Sequence, residues 1–210
     1  MVEPSGTNQP AIAGQSHRIA HQATLPVAEG ALAHDGRSTR QTPNLGVMSD
    51  TYDSIVKLRA IRDFKPDPIS EDDLAAILEA ARWTGSSKNR QDWSFIVITG
   101  ERLQGLAEHG DFTDPVRSSA ATIVLVQEKG GNMFDIGRAA QNIMLAAQAI
   151  GVASCPITLH RSADAREFLG AADDTVTRYA VALGYPDENA APRRFGGRKP
   201  VDAVVRFDRY

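Results

Sequence analysis

Ser86-Ser87-Lys88-Asn89-Arg90-Gln91-Asp92-Trp93 sets turn formers, amide side chains and cations between a run with helical apolar spacing and a short apolar run. Upstream, residues 72–82 place Leu74, Ile77, Leu78 and Ala81 on one helical face. Downstream, Phe95-Ile96-Val97-Ile98 is too short and too β-branched to be helix and reads as strand. A loop flanked in this way is held by rigid elements while its polar groups face outward, which suits it to grip a polar, planar ligand. The plain alternative is a solvated connection in which Asn89 and Gln91 bond nearby backbone. The rest of the chain decides between the two.

Working outward, Ser49 or Asp50 can cap a first helix that runs through Leu58, and Lys65-Pro66-Asp67-Pro68 then forces an extended crossing. Ser70 with Asp73 three residues on resembles a capping box, so a second helix starts at Glu71 and runs to about Arg82. Residues 95–99 read as strand, 101–108 as a short helix and 122–127 as a second strand, continuously apolar and therefore covered on both faces. Residues 134–150 form the longest helical pattern, with Ile136, Ala140, Ile143, Met144, Ala147 and Ile150 apolar. Its many alanines allow close approach of another helix, as befits a central element. Gly151 stops it, a short strand lies around Ala153-Ser154, residues 162–169 are helical, and 175–183 form a third long strand. This pattern predicts an α+β sandwich around a small mixed sheet rather than a doubly wound dinucleotide fold. No Gly-x-Gly-x-x-Gly follows a strand, and there is no internal repeat.

With 210 residues the chain can form one globular domain plus an appendage. Residues 1–47 hold no aromatic side chain, so they cannot bury enough apolar area to offset the entropy of ordering and are expected to be disordered. The domain is then 48–210, and Met48 is a candidate start. The tail lacks the compact apolar stretch of a signal peptide. A formal net charge of −3 offers no diffuse basic field for nucleic acid. Cys155 is the only cysteine and no apolar run is long enough for a bilayer, so a reducing, cytoplasmic setting without membrane attachment is expected. Three of five histidines, His17, His21 and His34, fall in the tail, while His109 and His160 are isolated, so no metal is expected. There is no Gly-x-Ser-x-Gly elbow for a Ser-His-Asp hydrolase.

Four blocks carry a resemblance. They are Leu58-Arg59-Ala60-Ile61-Arg62-Asp63-Phe64; the Ser86 loop; Asp135-Ile136-Gly137 through Gln141-Asn142 to Gly151-Val152-Ala153-Ser154-Cys155; and Gly184-Tyr185-Pro186 with Gly197-Arg198-Lys199-Pro200 and a strand-like end. In this order the chain resembles the FMN-dependent nitroreductase family over residues 49–210. The resemblance implies a three-layer α/β/α sandwich around a small mixed, mainly antiparallel sheet. It also implies a homodimer in which a C-terminal arm, 201–210, crosses to add to the partner's sheet. FMN is then expected at the dimer interface, walled by segment 59–62 and loop 86–93 of one subunit and by the central helix of both.

FMN presents a dianionic phosphate, a hydrogen-bonding ring edge and a flat apolar face. The family motif points to Arg59, Arg62 and Arg198 for the phosphate, since guanidinium meets phosphate oxygens through paired donors. The alternative for each is an ordinary surface cation. Ala60 stands where the family usually has serine, and a backbone N–H can take over that contact. The resemblance assigns Asn89 and Gln91 to the pyrimidine edge and Ser87 and Lys88 to the ribityl chain or the N1–O2 edge. Gly85 and Asp92 stand where the family commonly has proline, which predicts a more flexible loop and adds a negative charge. Cys155, Pro156 and Ile157 match the stretch against the flavin's far face, with a backbone N–H near N5. Cys155 itself reads as a small buried hydrophobe rather than a nucleophile, and Trp93 as core.

The implied activity is hydride transfer from NAD(P)H through flavin N5 to flat electrophiles such as nitroaromatics, quinones and activated alkenes, with ping-pong kinetics and no dedicated catalytic side chain. Residues 128–133 are too few to form a lid, so an open site is expected. Two alternatives stand beside this: a flavin-binding dimer for storage or sensing, and a structural dimer that has lost its ligand.

Overall fold

The computed structural model describes residues 50–190 and 197–209. The expectations for residues 1–47 and for a start at Met48 concern residues outside these. The helices are α1 (Asp50–Lys57), α2 (Glu71–Arg82), α3 (Arg102–Ala107), α4 (Asp114–Ser118), α5 (Met133–Ala149), α6 (Ser162–Leu169) and α7 (Val201–Val204). The strands are β1 (Trp93–Thr99), β2 (Ala121–Gln127), β3 (Ala153–Thr158) and β4 (Val176–Gly184).

Local chemistry sets these bounds. The Ser70 hydroxyl accepts from the Asp73 N–H at 3.1 Å and opens α2, as its spacing predicted. Asn132 does the same for α5, accepting from the Asp135 N–H at 3.0 Å. At the other end Gly151, at φ 80, turns the chain so that the Val152 N–H returns to the Ala147 carbonyl at 2.9 Å. α4 carried no periodic signal because it is a single turn, begun by Asp114-Pro115.

The four strands lie in the order β1-β2-β4-β3, and all three pairings are antiparallel. Side chains alternate between two cores. Ile123, Leu125, Val181 and Leu183 pack with Ile77 of α2 and Ile136 and Ile143 of α5. Val124, Ala180, Ala182, Cys155 and Ile157 pack with Leu103 and Leu106 of α3, Val116 of α4 and Ala165 of α6. The result is the expected three-layer α/β/α sandwich. β2 is buried along almost its whole length, which accounts for its unbroken apolar sequence. β3 is longer than the sequence suggested because it is an edge strand: Pro156, which has no N–H to give, is tolerated there.

The C-terminal reading needs correction. Residues 201–210 were expected to be strand-like, but Val201–Val204 form one helical turn after Pro200, closed by the Val205 N–H on the Val201 carbonyl at 2.8 Å. An extended segment is stabilised by a neighbouring strand, and in this chain residues 201–209 pair with none. Val201, Val204 and Phe207 remain exposed.

Candidate functional site

The predicted residues fall into two groups held by different edges of the sheet. The first is built on β3. The Ile61 N–H donates to the Ser154 carbonyl at 3.0 Å, which lays residues 59–62 along the otherwise open edge of that strand. The segment continues as the Lys65 N–H bonds the Tyr185 carbonyl at 2.8 Å. Gly184 lies beneath Phe64 so closely that an added Cβ would stand 2.8 Å from the Phe64 Cβ.

Arg59 folds its Nη1 back onto the Val56 and Leu58 carbonyls, 2.8 Å each, at the negative end of α1. It lines a cavity of about 300 Å³ with Lys57, Ala153 and Ser154. Arg62 lines a neighbouring cavity of about 330 Å³ with Cys155, Pro156, Ile157, Thr158, Phe112 and His160. Ala60 is half-buried against the core between them. Arg59, Ala60, Arg62, Cys155, Pro156 and Ile157 are thus brought together. Cys155 is 2% exposed and its side chain belongs to the core, as do those of Ile157 and, on the opposite sheet edge, Trp93. Pro156 alone of the three presents its ring outward.

The second group is the Ser86 loop, which leads into β1. Lys88, Asn89 and Gln91 sit at φ 55, 54 and 55, a region that disfavours side-chain-bearing residues and costs on the order of 1 kcal/mol each. The loop is held in this form by a set of bonds. Ser86 accepts at its hydroxyl from the Gln91 N–H at 2.9 Å and at its carbonyl from the Asn89 N–H at 3.1 Å. Arg138 of α5 donates to the Gly85 carbonyl at 2.8 Å, and Arg90 donates to the Gly130 carbonyl at 2.9 Å. The expected looseness from Gly85 is therefore offset. A Cβ there would stand 3.0 Å from the Arg138 Nη2, close enough that the guanidinium would have to give by a few tenths of an ångström. The extra charge of Asp92 is met by Arg90 at 2.8 Å. Ser87, Lys88, Asn89 and Gln91 all face solvent, and the Gln91 amide reaches only the Asn89 carbonyl, at 3.3 Å.

Segment 59–62 and loop 86–93, expected to wall one site, lie on opposite margins of the sheet in the single chain. β1 and β3 are the two outer strands, three spacings or about 14 Å apart. α5 also separates the groups: it meets the loop through Arg138 and α1 through Gln148, which donates to the Ser54 carbonyl at 3.2 Å. Ten residues of helix are about 15 Å. Arg198 is exposed and lines neither cavity. Sequence reading passed over Phe112 and treated His160 as isolated, because the contact between them spans distant loops and leaves no local motif.

Among the described residues no group of three or more His, Cys, Asp or Glu side chains could hold a metal ion, and no helix is long and apolar enough to cross a membrane.

The fold is a three-layer α+β sandwich with arginines along one sheet edge and amides on a strained loop at the other. The chain belongs to the Nitroreductase family, whose model matches residues 55–129 and 118–185. It is 27% identical to the 4-nitrobenzoate reductase of Pseudomonas putida, over 70% of this chain and 90% of that one. Nitroreductase A of Vibrio parahaemolyticus superposes with a TM-score of 0.71 at 27% identity, covering 78% and 77% of the two chains. The NADPH:FMN oxidoreductase of Vibrio harveyi, solved with NAD+, gives 0.70 at 25% identity over 77% and 78%.

Proposed function

We propose that this protein is an FMN-dependent NAD(P)H oxidoreductase working as a homodimer, in which each flavin is held by segment 59–62 and β3 of one subunit and by the Ser86 loop of the other. The observation that carries the reading is the placement of two incomplete sites on opposite outer strands. A twofold axis would set the loop of one copy against the strand edge of its partner and complete two sites at once. Exposed apolar side chains on one copy support the pairing: α1 buries none of its residues, with Ile55 and Val56 exposed, and Val201, Val204 and Phe207 add a second patch.

The residues present fit FMN. Arg59 and Arg62 are permanent cations flanking one strand edge, as a phosphate and an electron-rich ring edge require. Pro156 supplies an exposed apolar surface beside them. The partner's copies of Asn89 and Gln91 would bond the pyrimidine edge, and Ser87 and Lys88 would stand near the ribityl chain. When bound, FMN would supply the redox chemistry, carrying a hydride equivalent from NAD(P)H to a flat electrophile such as a nitroaromatic, a quinone or an activated alkene. Arg62 of one subunit and the other subunit's copy of Lys88 would hold positive charge beside the ring. No side chain need act as acid or base. The positively charged, strand-backed cavity binds donor and acceptor in turn, so kinetics should be ping-pong.

The test is the absorption spectrum of the purified protein followed by anaerobic titration with NADH and NADPH. A yellow protein bleached by a nicotinamide supports the reading. A yellow protein that neither reduces would indicate flavin storage or sensing, and a colourless one that takes up no FMN would end it.

A further inference from the structure

Residues 128–133 are too few to cover a site, yet they brace one. The connection between β2 and α5 is fixed by its own bonds. The Gly131 N–H donates to the Glu128 carbonyl at 2.9 Å, the Gln127 amide nitrogen donates to the Gly131 carbonyl at 3.0 Å, and Asn132 caps α5. The Ser86 loop leans on this turn at two points. The Glu128 N–H donates to the Asp92 carbonyl at 3.1 Å, and Gly131 lies so near that an added Cβ would stand 2.5 Å from the same oxygen. Gly130, at φ 84, gives its carbonyl to the Arg90 guanidinium, and a Cβ there would overlap Nη2.

Arg90 is the joint. One nitrogen, Nη2, donates to the Gly130 carbonyl at 2.9 Å and to the Asp92 carboxylate at 2.8 Å, so a single group ties the middle of the loop to its end and both to the turn. The three residues at positive φ surround it: Lys88 and Asn89 precede Arg90, and Gln91 follows. The strained stretch is thus held from one side by Ser86, bonded to the Asn89 and Gln91 N–H groups, and from the other by the turn. The Arg90 side chain is half-exposed and lines neither of the cavities beside β3, so its bonds serve the loop rather than the core.

We propose that Arg90 is the positioning residue that keeps the flavin loop pre-formed, holding Lys88, Asn89 and Gln91 in left-handed conformations before FMN arrives. The proposal rests on the FMN reading of the loop and assigns its readiness to a residue that does not touch the cofactor. A loop relaxed from those conformations has to be returned to them on binding, and apparent affinity falls with the fraction of molecules that are competent. Strain at three residues makes that fraction about one in ten or less once the strut is gone.

The test compares the full-length wild type, Arg90→Ala, Gly130→Ala and the double variant, each freed of flavin and titrated with FMN by fluorescence quenching. Arg90→Ala should bind FMN about tenfold or more weakly. The Tm of its flavin-free form should be nearly that of wild type, because half-exposed bonds of this kind add little to global stability. Gly130→Ala, which keeps the arginine but denies Nη2 its place, should weaken binding by a similar factor. The double variant should bind no more weakly than either, since both changes remove the same strut. In amide hydrogen exchange, flavin-free Arg90→Ala should lose protection at the Asn89 and Gln91 N–H groups, whose bonds to Ser86 depend on the form of the loop. Wild-type affinity in Arg90→Ala would overturn the proposal, as would unchanged exchange at those two amides. So would losses that add in the double variant, which would make Arg90 a direct ligand of the cofactor, or a fall in Tm as large as the loss of affinity, which would make it a structural residue only. If wild type takes up no FMN, the underlying function fails and the proposal with it, and that is seen before any variant is compared.

Discussion

The Ile61 N–H and the Ser154 carbonyl, 3.0 Å apart, join the segment after α1 to the outer edge of β3. That bond is what places Arg59 and Arg62 beside the Cys155-Pro156-Ile157 strand, each on its own cavity. No side chain of the motif makes this connection. The main chain does, which is why Ala60 in place of the family's serine leaves the arrangement standing.

Arg62→Ala should weaken FMN binding by tenfold or more, since a charge-assisted bond to an anionic ligand is worth about 1.5–3 kcal/mol. Quenching of free-flavin fluorescence on titration with apoprotein gives the constant. Unchanged affinity would remove Arg62 from the site.

Mixing two defective proteins tests the shared site. Arg62→Ala and Asn89→Ala/Gln91→Ala homodimers should each hold flavin poorly. After unfolding and refolding together, random pairing should leave about a quarter of the sites intact, because each mixed dimer has one whole site and one doubly broken one. No recovery of bound FMN in the mixture would place both defects in the same site of one chain.

Gly184→Ala should destabilise the fold by about 1–3 kcal/mol, because the new methyl collides with Phe64 in a packed core. Phe64 follows Arg62 by two residues, so FMN affinity should fall as well. Thermal unfolding with and without FMN reads both effects, and a normal Tm would contradict the close contact.

Arg138→Ala should lower stability by about 1 kcal/mol through the lost bond to the Gly85 carbonyl. Loop 86–91 should then exchange its amide protons faster, because its positive φ angles are no longer imposed. Identical exchange in that loop would mean the Ser86 bonds suffice alone.

Tyr185 gives a pH signature. Its hydroxyl donates to the Asp73 carboxylate at 2.8 Å, and that bond, with burial, raises its pKa above the ordinary 10. A group whose folded pKa is raised lends stability below its unfolded value and loses it as pH rises through the folded one. The wild type should therefore lose stability more steeply than Tyr185→Phe above about pH 10 in urea titrations. Parallel curves would show that the bond carries no linkage.

Much of the fold was legible because it rests on local signals. The Ser70 cap, the stop at Gly151 and the unbroken apolar run of β2 each name an element without reference to the rest of the chain. Trp93 and Cys155 were rightly placed inside by size and polarity alone. Residues 201–204 were misread because valine favours strand only when it pairs with a neighbour, and residues 201–209 pair with no strand of this chain. The stiffness of the Ser86 loop was hidden for a related reason: Arg138 and Gly130 hold it from outside its own sequence.

The order of residues by itself determined which side chains could serve a phosphorylated planar ring, because guanidinium, carboxamide and proline chemistry do not depend on neighbours. Only the tertiary structure decided which of them share a wall. Sheet order is settled by long-range pairing, and the sequence β1-β2-β4-β3 sends the loop and the arginine segment to opposite margins of the sandwich. It also brings Phe112 to Arg62, fifty positions away along the chain, because Arg161 ties a distant turn to the end of β3.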